Sequence, residues 1–382
     1  MSAWQHDYAM LALRVNRLLG GAALVYRGRE EWRAQAASEE QPPPGRLADD
    51  AERLLETAPS RYLAAQVRAM RTVARRLDGE RLPPAAYARA CLGVDVRSVP
   101  ESVFEEAHAE LDAALPKGPG SLAERYQAWQ AAHTLEPIER LPDLVARAVA
   151  ETRARTNAIV PLPEGEVVSC RLVEGASFHA AGAYEGGQRS TIHINRAVPF
   201  NLADLLYVVA HEGHPGHIAE WLLREIHLAD REDERVRFML SPPFVLSEGL
   251  GLVAEEVLFP GDEAQEWLNR HIFPEVRINP GQGDFAAIHH AKTVLWGVWG
   301  NVALLAAEGR PAAELAAYLA RWSLYTEREV EQALGALKPS PMSPYVFGYF
   351  HGWELVRPWA AFDPSWIRRL LTEQLLPADL TP

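Results

Sequence analysis

The chain has 382 residues, 48% of them hydrophobic and 23% charged, a globular profile large enough for two lobes sharing a cleft. Its formal net charge is −13, and basic residues are scattered among acidic ones, as in "REDERVR" at 231–237. Such a surface repels nucleic acid and anionic membranes, which leaves a small molecule or peptide as the expected partner.

Taken in chain order, 8–36 reads as helix broken near Gly20 and Gly21, and "QPPPG" at 41–45 stops the pattern because consecutive prolines remove donors and fix φ. Asp7, Arg14 and Arg17 interrupt the apolar core that a signal peptide needs. Apolar residues at helical spacing then run through 47–77, and further helices are predicted over 84–91, 100–115, 122–133 and 141–156. The texture changes near Ala158. From "EVVSCRLVEG" to "STIHIN" the chain is rich in β-branched residues and glycine, and a small antiparallel sheet is predicted over about 166–195. Helical spacing returns after Asn201, punctuated by turns at "SPPF", "NPGQG", "EGRPA" and "KPSPMSP".

The two cysteines, Cys91 and Cys170, have no CxxC spacing, so neither a disulfide framework nor a thiolate zinc site is suggested. The longest apolar stretch, 294–307, is too short to cross a bilayer. The expected location is cytoplasmic.

The chemistry concentrates in "VVAHEGHPGHIAEW", 208–221, where three histidines fall within seven positions beside Glu212. A strand, then a helix bearing His-Glu, then a later glutamate is the order of HExxH zinc peptidases, in which two histidines at i and i+4 hold the metal. Here i+4 from His211 is Pro215. Two repairs are open. His214 lies about 60° round an unbroken helix from His211, whereas His217 lies about 240° away and needs a local break, which Pro215-Gly216 is suited to make.

"HEGHPGHIAE" followed by "LSEGLGLVAEE" resembles a bacterial zincin-like family of unknown function whose motif runs His-Glu-x-x-Pro-Gly-His-His, with a later Ser/Thr-Glu-Gly helix. The opening "YAMLALRVNRLLGGAALVYRG" and closing "YVFGYFHGWELV" are similar to that family's ends, so the resemblance covers most of the chain. It implies a mainly α, two-lobed, zincin-like (gluzincin-like) fold: a helical N-terminal lobe over 1–157 and a metal-site lobe over 158–382, with the small sheet beside the active-site helix. It also implies His211, His217 and Glu248 as ligands of one Zn²⁺ and Glu212 as general base. The chain departs from the motif at Ile218, where the family has a second histidine.

The function expected is zinc-dependent hydrolysis of short peptides or related amides, with Glu212 taking the proton of a metal-activated water. An oxyanion donor is also needed, and Tyr349 and His351, with Tyr345 close behind, are the candidates from the C-terminal helix. Glu255, seven residues after Glu248, is a candidate to orient a ligand histidine. Two alternatives stand beside this reading: an Fe(II) oxygenase, since two histidines and a carboxylate also suit that ion, and a non-catalytic metal-binding protein.

Overall fold

The computed structural model describes residues 3–279, 282–337 and 340–380; Pro280, Gly281, Lys338 and Pro339, parts of two of the predicted turns, lie outside them. The protein is mainly α-helical with a small sheet, the predicted class. The first helices are α1 (Ala3–Leu18), α2 (Glu30–Ser38), α3 (Pro44–Glu56), α4 (Arg61–Leu77) and α5 (Pro84–Leu92). The helical spacing over 47–77 is carried by two helices, the second opening where Ser60 caps α4 by accepting a hydrogen bond from the Leu63 amide at 3.2 Å. The glycine break after α1 leads into a short strand, β1 (Leu24–Tyr26), and not directly into another helix.

Next come α6 (Glu101–Ala114), α7 (Leu122–Ala132) and α8 (Leu141–Ile159), then β2 (Val167–Val173), β3 (Ala180–Gly186) and β4 (Arg189–Asn195). The sheet order is β2-β4-β3. The predicted antiparallel pairing is that of β3 with β4; β2 joins β4 in parallel, making the sheet mixed. The cause is burial: Thr191, Ile192 and Ile194 make β4 the most apolar strand, and it takes the centre with a neighbour on each side.

After the sheet come α9 (Leu205–Glu212), α10 (His217–His227), β5 (Val236–Phe238) and α11 (Pro242–Leu258). Strand β5 returns to pair antiparallel with β1, a contact across more than two hundred residues that local pattern cannot show. In α11 every residue but Glu256 and Val257 is buried, so this helix is the axis of the molecule. The remaining helices are α12 (Glu263–His271), α13 (Phe273–Val276), α14 (Phe285–Val294), α15 (Trp296–Ala307), α16 (Ala312–Ser323), α17 (Glu327–Ala336), α18 (Phe347–Phe362) and α19 (Pro364–Thr372).

Two apolar clusters hold the fold. One unites residues 8–96 with Val236, Phe238, Leu240 and Val245; the larger begins at Val99 and runs to Leu380. The texture change near Ala158 therefore marks the start of the sheet, while the apolar core divides earlier, between Val96 and Val99. Helices α6 to α8 bury Phe104, Leu111, Leu144 and Val145 in the larger cluster, and α8 lies against α9 and β2.

Helix α18 packs along α11 at very short range. A Cβ on Gly249 would stand 2.3 Å from the Gly352 carbonyl oxygen, so only glycine permits this crossing. Among the described residues, no helix is long and apolar enough to cross a membrane.

Candidate metal centre

The apolar run 205–210 carries α9 into the core, and α9 stops at Glu212. The Gly213 amide donates to the Val209 carbonyl at 2.8 Å, and the Gly216 amide then reaches back to Ala210 at 3.0 Å. Residues 213–216 form a tight break before α10 opens at His217. A Cβ at Gly216 would lie 1.7 Å from the His211 carbonyl oxygen, so this return needs glycine.

The break decides between the histidines. It brings the His211 and His217 rings edge to face, with centroids 4.8 Å apart. His214 is fully buried and turned elsewhere: its Nε2 lies 2.8 Å from Glu166, whose other oxygen meets Arg153 at 2.9 Å. Ile218, at the departure from the family motif, is fully buried in the larger apolar core and does a packing job there.

Glu248, on α11, is 2% exposed and lies between the two rings: Oε2 is 3.5 Å from His211 Nε2 and Oε1 is 3.7 Å from His217 Nε2. The Tyr345 hydroxyl donates to Oε1, while Oε2 is buried with no hydrogen bond of sound geometry. Ligand atoms at the corners of a tetrahedron with bonds of about 2.0–2.2 Å are separated by about 3.3–3.6 Å, close to these two spacings.

Hydrogen-bond direction sets the ring tautomers. The Ser247 hydroxyl has one proton and donates it to Glu220 at 2.5 Å, so at 3.1 Å it accepts from His217 Nδ1–H. Glu220 is held by Arg237 at 2.7 Å and Arg224 at 3.1 Å, all three buried. The Nδ1 edge of His211 packs against Gly251, where a Cβ would stand 2.6 Å from that nitrogen. The Nε2 of His217 is thereby left to present a lone pair toward Glu248. Burial lowers the His211 pKa, but the nearness of the Glu248 carboxylate and the charge of Glu212 outweigh it and push it up. Burial likewise raises Glu248, and the charges of His217 and His211 outweigh it and bring it down. Two imidazoles and a buried, unpartnered carboxylate oxygen are a donor set that a borderline-soft divalent ion satisfies.

Glu212 comes at the site from the other side. Its Oε2 accepts the Gly182 amide of β3 at 2.7 Å, and it borders an open cleft. Ligand atoms of His211, Glu212 and His217 all lie within 4.8 Å of one another. Of the two carboxylates, Glu212 lines the cleft and Glu248, buried on α11, does not.

The C-terminal helix supplies Tyr349 and, just before it, Tyr345; both border the cleft with His211 and Glu212. Burial, followed by the charges of Glu248 and Glu212, holds the Tyr349 hydroxyl well above its usual pKa, so it stays a proton donor. His351 is not brought to the site. Two residues on, it points about 200° away from Tyr349, is 6% exposed, and lies 3.4 Å from Glu354 among Phe347 and Phe350.

Glu255 also departs from expectation. It accepts from His289 Nδ1 at 2.6 Å, and His289 Nε2 faces Asp204 at 3.0 Å, so neither His211 nor His217 is its partner. This group borders a second cavity of about 640 Å³ beyond Tyr207 and Leu252. Ser247 and Glu220 were not picked out from sequence, though one precedes Glu248 and the other follows His217 by a helical turn, an outer-residue signal that could have found them.

No family model and no curated protein matches the chain. Two solved structures, both described as putative lipoproteins, resemble it. That from Colwellia psychrerythraea is 16% identical with a TM-score of 0.53, covering 92% of this chain and 57% of its own. That from Shewanella oneidensis, of unknown function, is 11% identical with a TM-score of 0.52, covering 91% of this chain and 74% of its own. The chain thus spans little more than half the length of the first, and the likeness is one of fold.

Proposed function

We propose that the protein is a zinc-dependent hydrolase with a zincin-like active site, a metallopeptidase acting on short peptides or related amides. The observation that carries this reading is the buried Glu248 Oε2, without a hydrogen bond, on a carboxylate that lies 3.5 Å from His211 Nε2 and 3.7 Å from His217 Nε2. His211, His217 and Glu248 would hold the ion. When bound, zinc supplies a Lewis acid that polarises a carbonyl and lowers the pKa of a water molecule toward about 7.

The chain's own groups do the rest. Glu212, lining the cleft, takes the proton from the attacking water and returns it to the leaving amine. Tyr349, kept protonated by burial and two carboxylates, donates a hydrogen bond to the oxyanion that forms as the carbonyl is attacked. Tyr345 fixes Glu248 through its hydroxyl. A reducing, cytoplasmic setting belongs to the same proposal, supported by the free Cys91 and Cys170.

Metal analysis of protein purified without added metal, combined with cleavage of a mixed peptide library, tests the proposal. The expected result is one zinc per chain and cleavage that Glu212→Gln abolishes. Stoichiometric iron with oxygen consumption, or undiminished cleavage by Glu212→Gln, would overturn it.

A further inference from the structure

Beside Glu212 the cleft widens into a cavity of about 620 Å³, within the range of small-ligand sites. One wall is aromatic. Tyr349 stacks on Trp296 with centroids 4.2 Å apart and planes 11° from parallel, and Tyr345 meets Tyr349 edge-on at 5.9 Å. Trp299 extends the wall and is locked by donating its indole N–H to Tyr325 at 3.0 Å.

The lining also includes Phe178, on the segment leading into β3. It is 40% exposed, and only two other large apolar side chains among the described residues, Val167 and Ile226, are as open. Phe178 lies four residues before the Gly182 amide that holds Glu212. Rigid rings and an exposed phenyl lining one cavity leave apolar surface that only an apolar group covers well. Glu212 and His211 line the same cavity, and the hydrolase reading places the amide against them; Ser177, His179, Ser340 and Ser343 are its other small polar or imidazole linings.

We propose that this cavity receives a bulky apolar side chain, preferentially aromatic, next to the amide presented to Glu212. The substrate class is then peptides or acyl amides carrying an aromatic or large aliphatic residue at the reacting bond. Identifying the bound group as a substrate rests on the hydrolase reading; the binding preference does not.

The test is titration of the zinc-loaded full chain with N-acetylphenylalaninamide, N-acetylalaninamide and N-acetylaspartic acid amide, read by tryptophan fluorescence and calorimetry. The phenylalanine compound is expected to bind at least tenfold more tightly than the other two. Phe178→Ala, at an exposed position that folding tolerates, is expected to cut that preference at least threefold, and Trp299→Ala to cut it further. Equal binding of the phenylalanine and alanine compounds, tighter binding of the aspartyl one, or a preference untouched by Phe178→Ala overturns the inference. The two readings fail separately. An aromatic preference without hydrolysis of any peptide supports the cavity's role and sinks the hydrolase, whereas peptide cleavage indifferent to the adjoining side chain does the reverse.

Discussion

His217 is tied to Ser247 by a 3.1 Å hydrogen bond from Nδ1 to Oγ, and the serine can accept it because its own proton is committed to Glu220. The pair fixes the ring so that Nε2 is the free nitrogen. Ser247→Ala is therefore expected to weaken zinc binding by about 10- to 100-fold, the range found for outer partners of metal ligands. Ser247→Thr, which keeps the hydroxyl, should restore most of it. Competition with a chromogenic chelator measures both, and an unchanged affinity in the alanine variant would remove the role given to Ser247.

His214 was the rival to His217, and its surroundings give the opposite expectation. Its Nε2 meets Glu166 inside the protein, so His214→Ala should cost about 2 kcal/mol of stability through a buried hydrogen bond lost. Zinc affinity should stay within a factor of about three of the parent. Thermal melting and the same chelator assay separate the two effects, and a hundredfold loss of affinity would return His214 to the site.

Gly216→Ala would place a methyl group against the His211 carbonyl oxygen, where backbone and not a flexible side chain stands in the way. The break at 213–216 must then open, at a cost of about 1–3 kcal/mol. Both a lower melting temperature and weaker zinc binding are expected, because the displaced carbonyl belongs to His211, one of the proposed ligands.

Tyr349 and His351 make a paired prediction. Tyr349→Phe removes the hydroxyl donor and should lower kcat by about 10²–10³ with little change in KM. His351→Ala, buried on the far face of α18, should leave kcat within about twofold in whatever fraction folds. A reversed pattern would mean that the histidine is the oxyanion donor.

His289 supplies the pH dependence. Burial lowers its pKa, but Glu255 and Asp204 outweigh burial and raise it from 6.5 to about 9. A folded-state pKa above the unfolded one contributes stability that is full below about pH 6.5 and is lost as pH rises through 9. The contribution is of the order of a few kcal/mol. Melting temperature should thus fall between pH 7 and 9.5, and His289→Gln should flatten that fall while lowering stability at pH 7. A parallel decline in both proteins would show that other groups govern it.

Much of this site could be read from residue types alone. The run 205–210 announced a buried helix, and Pro215-Gly216 announced its break, because proline removes a donor and glycine admits the close return of the chain. The separation of Tyr349 and His351 was equally legible, since residues two apart on a helix cannot face one cleft. Other features lay beyond local pattern. β1 finds β5 only after the chain has gone round, and the split of 47–77 turns on one serine capping the second helix.

Spacing narrowed the ligand candidates to His211 with either His214 or His217, and the helical periodicity of the surrounding segments set the mainly α class. Those are consequences of local backbone geometry, which sequence carries directly. Which of the two turns toward His211 depended on where Glu166 and Arg153 stand, just before β2 and on α8, ready to take His214 away. The partner of Glu255 was likewise settled by packing, which brought His289 and Asp204 to it instead of a ligand histidine. Such pairings arise when buried charges must find complements within the folded interior, and that requirement is met only in three dimensions.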